Sequence, residues 1–324
     1  MKPSIKFFGT MPKSFEKKLV SELEDFASDI QCSISIYLDY IGKHLSPENF
    51  NVLVLIEPPA VMPENYQKKK LDKFDLVIPL SPWRAKNLGF RHWSFQPIES
   101  PKLLQSNSFN RINGIVMIND HKFGASKSSL YGLRRKMILR LERSNIPFYL
   151  FGPNWQMKPI MELRKRVAAL RRIMFTGQSV SFLEVFGQVF KRFSSYQGHA
   201  ENKMATLSNY KYALVIENDS LSLTEKLFDA LYSGCFVFYI GPTLEKFDCL
   251  NKACVQLPVD LEAAAKKIEQ IIENPPNEVL QNARTFVDNP KSIDFLSEKS
   301  VSVSIATDIR NCVKSSPKNY LRVH

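Results

Sequence analysis

The chain has 324 residues, of which 44% are hydrophobic and 23% charged, and its formal net charge is +12. This length suits two domains, and this composition excludes a disordered chain or a low-complexity fibre. The positive excess points to an anionic partner.

The first stretch alternates short apolar strands with helical patterns. Residues 4–9 (SIKFFG) read as a strand and 14–27 (SFEKKLVSELEDFA) as an amphipathic helix. Further strands are expected at 33–40 (SISIYLDY), 51–57 (NVLVLIE) and 75–81 (DLVIPLS). Such alternation predicts a largely parallel sheet covered by helices. A polar, proline-bearing stretch at 96–113 reads as a linker. The alternation then resumes. Strands are expected at 114–119, 147–152, 212–217, 236–241 and 254–258, with helices at 130–144, 161–175, 223–233 and 261–274. A last amphipathic segment, 301–313, is expected to cross back onto the first domain. The predicted division is 1–105, 106–290 and a helical 291–324, with two Rossmann-like α/β domains facing across a cleft.

The opening MKPSIKFFGTMPKSFEKKL has no apolar core of a secretory signal, and no run approaches the roughly 18 apolar residues of a membrane span. Cys32, Cys235, Cys249, Cys254 and Cys312 are odd in number and contain no C-x-x-C pair. Together these features predict a cytoplasmic protein with free or buried thiols and no zinc ribbon. The charge is concentrated. Residues 122–144 and 158–192 each carry a net +6, and the rest of the chain sums to zero. A basic second domain suits a diphosphate ligand, although the second run also reads as a solvated helix face. That run mixes apolar residues with its cations. It therefore suits an anionic membrane surface too, with Arg164–Arg166 and Arg171–Arg172 as the contacting charges.

Several chemistries lack their motifs. There is no G-x-x-x-x-G-K-[ST], G-x-G-x-x-G, H-E-x-x-H, G-x-S-x-G or D-x-D. His92, His121 and His199 are isolated and read as surface residues.

Residues 196–242 are the most informative. The strand at 211–217 ends in Glu217-Asn218, and Ser222-Leu-Thr-Glu225 reads as a capping box opening the next helix. Leu227, Ala230 and Leu231 form its apolar face, and Gly234 stops it before a second strand. In such a βαβ unit, anions bind beyond the strand ends, where helix N-termini present free N–H groups. Lys226 adds charge there, and Glu225 suits the hydroxyls of a ribose. Each residue also has a plainer role: Glu225 completing the cap, Lys226 exposed, Glu217 and Asn218 ending a strand.

The pattern Tyr210-Lys211-Tyr212, Glu217-Asn218, Thr224-Glu225-Lys226, Ala230, Gly234 and Gly241, preceded by Gly198 and Lys203, resembles glycosyltransferase family 10, the α1,3/α1,4-fucosyltransferases. The resemblance implies a GT-B arrangement and transfer of fucose from GDP-fucose, with inversion, to a GlcNAc-like residue of a bacterial-type surface glycan. It places Arg134, or Arg135 by a one-residue shift, on the donor diphosphate. Lys203, Glu217, Asn218, Ser222, Thr224, Glu225 and Lys226 join it in the donor site. The strand ending Val52–Pro59 matches loosely and makes Glu57 the catalytic base. No metal is obligatory, and Mn²⁺ or Mg²⁺ enters as a stimulant. The acceptor is expected to be an oligosaccharide or lipid-linked glycan, met at the inner face of the membrane. Two departures stand out: Ser222 and Leu223 replace the family's tyrosine and valine, which leaves another nucleotide-sugar donor open. A nucleic-acid-binding protein is one rival class, which leaves the T-E-K segment unexplained; a catalytically inactive relative is another, which needs a nonfunctional Glu57 or donor site that the sequence does not show.

Overall fold

A computed structural model describes residues 3–9, 13–39, 45–58, 60–79, 110–174, 182–187, 189–245, 247–289 and 298–315. The chain divides into two compact units, Met1–Pro97 with Ile293–His324, and Ile98–Ser292.

The first unit holds β1 (Ile5–Phe8), α1 (Lys13–Asp29), β2 (Ile34–Leu38), β3 (Phe50–Leu55), a 3₁₀ turn (Pro63–Tyr66), α2 (Lys68–Leu71), β4 (Leu76–Pro79) and, from the far end of the chain, α11 (Glu298–Ser315). Its four strands are parallel and lie in chain order, with Ile34 beside Phe50 and Val52 beside Leu76. Every residue of β2 and β3 is buried, as a parallel sheet covered on both faces requires. α1 buries Phe15, Leu19, Leu23 and Ala27 at a four-residue spacing. α11 buries Val301, Ile305, Ile309 and Val313 at the same spacing, and both ridges enter one core with β2 and β3. The expected return of the last helix to the first domain is thus present.

The second unit begins with β5 (Ile112–Ile118), which takes in the last residues of the expected linker; 96–109 lie outside the described residues. There follow α3 (Tyr131–Leu141), β6 (Phe148–Phe151), α4 (Pro159–Met174), α5 (Phe182–Phe186), α6 (Lys203–Ser208), β7 (Tyr210–Ile216), α7 (Glu225–Tyr232), β8 (Phe236–Ile240), α8 (Asp248–Ala253), β9 (Val255–Gln256), α9 (Leu261–Glu273) and α10 (Asn277–Asp288). The five strands are parallel, in the order β6-β5-β7-β8-β9. Their core joins Ile115, Met117, Leu214, Ile216 and Phe238 to Met137 and Ile138 of α3 and Ile268 of α9. No described helix is long and apolar enough to cross a membrane. Cys32, Cys235 and Cys254 are buried, Cys249 is exposed, and all five thiols are free.

Candidate functional site

The strand order places a topological switch in the second unit. From β5 the chain moves outward to β6, then returns to form β7 on the other side of β5. The connections on either side of β5 and β7 diverge there, and the carboxyl ends of such strands are where α/β sheets bind ligands. The residues past β5 and β7 and the first turns of α3 and α7 therefore define the candidate site.

Glu217 follows β7 and is fully buried. Its carboxylate accepts from the Thr224 amide at 2.9 Å and from the Thr224 hydroxyl at 2.6 Å. Lys226 donates to Thr224 Oγ1 at 2.9 Å and stands 3.8 Å from both Glu217 and Glu225. Lys203, at the start of α6, pairs with Glu225 at 3.5 Å and with Asp229. Three carboxylates and two ammoniums thus interlock around the N-terminus of α7. Burial pushes the Glu217 carboxyl up, opposed by Lys226 and the two Thr224 bonds. For Glu225, burial also acts upward, but Lys226 and Lys203 outweigh it and hold the carboxyl below its ordinary range. Burial would lower Lys203, but Glu225 and Asp229 raise it. Glu225 and Lys203 are accordingly held charged by each other.

α7 does not start as expected. Its N-cap is Thr224, two residues beyond Ser222, and neither side chain caps it. The Thr224 hydroxyl is directed to Glu217 instead, and the Ser222 hydroxyl is buried with no hydrogen-bond partner. The capping-box reading fails because the buried carboxylate of Glu217 offers a stronger, charge-assisted acceptor. Gly234 ends α7 at φ +72°, where its lack of a Cβ removes the left-handed penalty.

Arg134 of α3 is buried and reaches the end of β7. Its Nη2 donates to the Ile216 carbonyl at 2.6 Å, to the Glu217 carbonyl at 3.0 Å and to Asn218 Oδ1 at 3.3 Å, while Nε is unpartnered. Arg135, also buried, turns the other way, to the Lys122 carbonyl and the face of Phe123. Arg134 is thus the one of the two beside Glu217-Asn218. His121 is not the surface residue its isolation suggested, whereas His199 is exposed and His92 lies outside the described residues. His121 stacks on Trp155 at 4.5 Å, and its Nδ1 lies 3.2 Å from the Asn154 carbonyl. Burial, reinforced by Arg135, lowers its pKa to about 3.

Glu57 belongs to the first unit, just past β3. Its amide donates to both oxygens of Asp39, and its carbonyl accepts from Tyr66 Oη at 2.7 Å. Asp39 follows β2 in the left-handed region, at φ +42°. Burial raises its carboxyl to about 7, against the Glu57 and Ile56 amides, which favour the charged form. Asp39 and Asp229 were both missed by sequence reasoning. Asp229 had a signal, since it lies four residues after Glu225 on one helix face. Asp39 had only its place after an apolar strand. Among the described residues, no group of three His, Cys, Asp or Glu side chains is arranged to hold a metal ion.

No protein-family model matches the sequence. No curated protein matches it either. Solved structures do resemble it. A glycosyltransferase from Rickettsia africae ESF-5 shares 10% identity over 97% of this chain and 100% of its own, with a TM-score of 0.45. OtsA shares 12% identity over 91% of this chain and 76% of its own, at 0.49. An alpha1,3-fucosyltransferase shares 13% identity over 98% of this chain and 80% of its own, at 0.40.

Proposed function

We propose that the protein is an inverting glycosyltransferase that moves fucose from GDP-fucose onto a hydroxyl of a GlcNAc-like residue in a surface glycan. One observation carries this reading. Residues of a single motif, spread from Lys203 to Lys226, converge with Arg134 on the strand end and helix start that the switch point singles out for a ligand.

Each residue then has a role. Lys226, Arg134 and the N-terminus of α7 oppose the charge of the departing GDP. Glu225 and Asn218 accept from hydroxyls of the donor, and Ser222 lines the same stretch. Glu217 positions Thr224 and Lys226, and Lys203 positions Glu225. Glu57 takes the proton of the acceptor hydroxyl. The acceptor oxygen bonds to the anomeric carbon as the bond from that carbon to the β-phosphate oxygen breaks, and GDP carries away the electron pair. No described group of side chains is arranged to hold a metal ion, and Mn²⁺ or Mg²⁺ arriving with the donor would supply extra positive charge at its diphosphate.

A panel of GDP-, UDP- and CDP-sugars, followed by nucleotide release and calorimetric GDP binding, tests the reading. GDP-fucose alone should be consumed. Lys226→Ala and Glu225→Ala should each weaken nucleotide binding by roughly tenfold to a hundredfold, the value of a charge-assisted hydrogen bond. Glu57→Gln should leave GDP binding intact and cut transfer by about 10²–10⁴. Consumption of another sugar nucleotide would overturn the fucosyl assignment. Salt-sensitive RNA binding without nucleotide binding would overturn the whole reading. Ser222, buried and unpartnered where the resembling family has tyrosine, favours one second reading: the same reaction with a different donor.

A further inference from the structure

α4 leaves part of its apolar surface in solvent while burying one ion pair. Its buried stripe carries Glu162, Arg166 and Ile173, while Ile160, Leu163 and Met174 are exposed. Ile160, Leu163 and Met174 share one stripe, at i, i+3 and i+14, with Arg164 and Arg171 beside it seven residues apart, while Met161, also exposed, lies off it. Among the described residues, seven of the eleven exposed large hydrophobics fall between Ile160 and Phe190.

The buried pair explains how this face is maintained. Arg166 binds Glu162 and reaches the carbonyls of Val185 and of Gly187, the latter at 3.0 Å. Glu162 in turn accepts from the Phe190 amide at 3.3 Å. One desolvated ion pair therefore fastens α5 and the following turn to α4. Phe190 is held at φ +56°, a region that a phenylalanine rarely adopts, and the residue is 51% exposed. Phe182 and Phe186 on α5 are exposed as well. The left-handed conformation of Phe190 brings the residue no burial. The exposed cations Lys158, Lys165, Lys191 and Arg192 add to Arg164 and Arg171, and α4 has no exposed acid.

We propose that this face docks peripherally on an anionic lipid surface. The stripe on α4 and the aromatic rings of α5 and Phe190 enter the headgroup boundary, and the flanking cations meet the lipid phosphates. The occupant follows from the pattern. Apolar and cationic stripes side by side along one helix match an interface that is itself layered, apolar below and anionic above. Arg166, counted among the surface charges from sequence, takes no part because it is wholly buried. The proposal stands independently of the sugar-transfer reading.

Flotation of the full-length protein with vesicles tests it without substrate. Phosphatidylcholine vesicles containing about 30% phosphatidylglycerol should bind at least tenfold more tightly than phosphatidylcholine alone, at an ionic strength of about 0.1 M. Arg164→Glu/Arg171→Glu should lose at least tenfold of that binding. Ile160→Ser/Leu163→Ser/Met174→Ser should lose a similar factor, and Phe190→Asn, which tolerates the backbone conformation, a smaller part. Thermal unfolding of each variant identifies any that fails to fold; the charge-reversal and Phe190 variants alter only exposed side chains and decide the matter alone if the serine variant fails. Equal binding to neutral and anionic vesicles would overturn the proposal. So would anionic binding unchanged by both apolar variants, which marks simple adhesion of a basic protein. A solution dimer dissociated by the serine variant would assign the face to a second copy and overturn it as well.

Discussion

His121, buried, and Asp39, half-buried, are two titratable groups whose environments act on stability in opposite directions. His121 has its folded pKa lowered to about 3 by burial and Arg135. The unfolded chain therefore binds the extra proton, and stability is present above about pH 6.5 and is lost as pH falls below it. Asp39 has its folded pKa raised to about 7 by burial. Its contribution is present below about pH 4 and is lost as pH rises towards 7. Urea unfolding across this range should show His121→Phe flattening the acid side and Asp39→Asn removing the decline towards neutrality. At Gly241 a Cβ would lie 2.3 Å from Tyr239 Oη and 2.7 Å from Glu217 Cγ. Gly241→Ala should therefore displace the Glu217 carboxylate, cost about 1–3 kcal/mol and weaken GDP binding measured by calorimetry.

Among the elements, α1 and α11 show how a helix is held by its ridge. Ile305 is fully buried among Leu19, Ile34 and Val52 in one core. Ile305→Ala should cost about 2–5 kcal/mol by chemical denaturation, through lost transfer energy and the cavity left behind. α7 shows the opposite balance. Its start is decided less by its own cap residues than by Glu217, a residue of the preceding strand end. Thr224→Val should remove one donor to a buried carboxylate. The expected result is reduced thermal stability together with weaker nucleotide binding, since Lys226 loses its Thr224 partner too.

Over the whole molecule, the first unit is discontinuous in sequence: it takes residues from both ends of the chain, and the second is one continuous segment. A chain ending at residue 297 lacks α11 and leaves Leu19, Leu23 and the α1 face of the sheet without their cover. Calorimetry of that truncation should show loss of the cooperative transition of the first unit. The GDP binding proposed for the second unit should survive.

The sequence by itself determined the two parallel α/β layers, because mostly apolar strands such as Phe50–Leu55 and four-spaced apolar helices such as α1 leave few other burials. It also located the βαβ unit that runs from β7 through α7 to β8, because strand end, helix start and glycine turn follow one another there. Tertiary structure alone decided what depends on long-range pairing. Arg134 meets Asn218 across 84 residues only because β5 and β7 are neighbours. His121 is buried rather than exposed because Trp155, from beyond β6, stacks on it. Asp39 reaches the Glu57 amide only through the register of β2 on β3. Ser222 loses the cap to a carboxylate that local spacing does not reveal, and α4 turns Glu162 and Arg166 inward because Val185, Gly187 and Phe190 supply partners there. Local periodicity sets which residues seek burial, but the partners of a buried charge come from distant segments, and only the folded chain brings them within hydrogen-bonding reach.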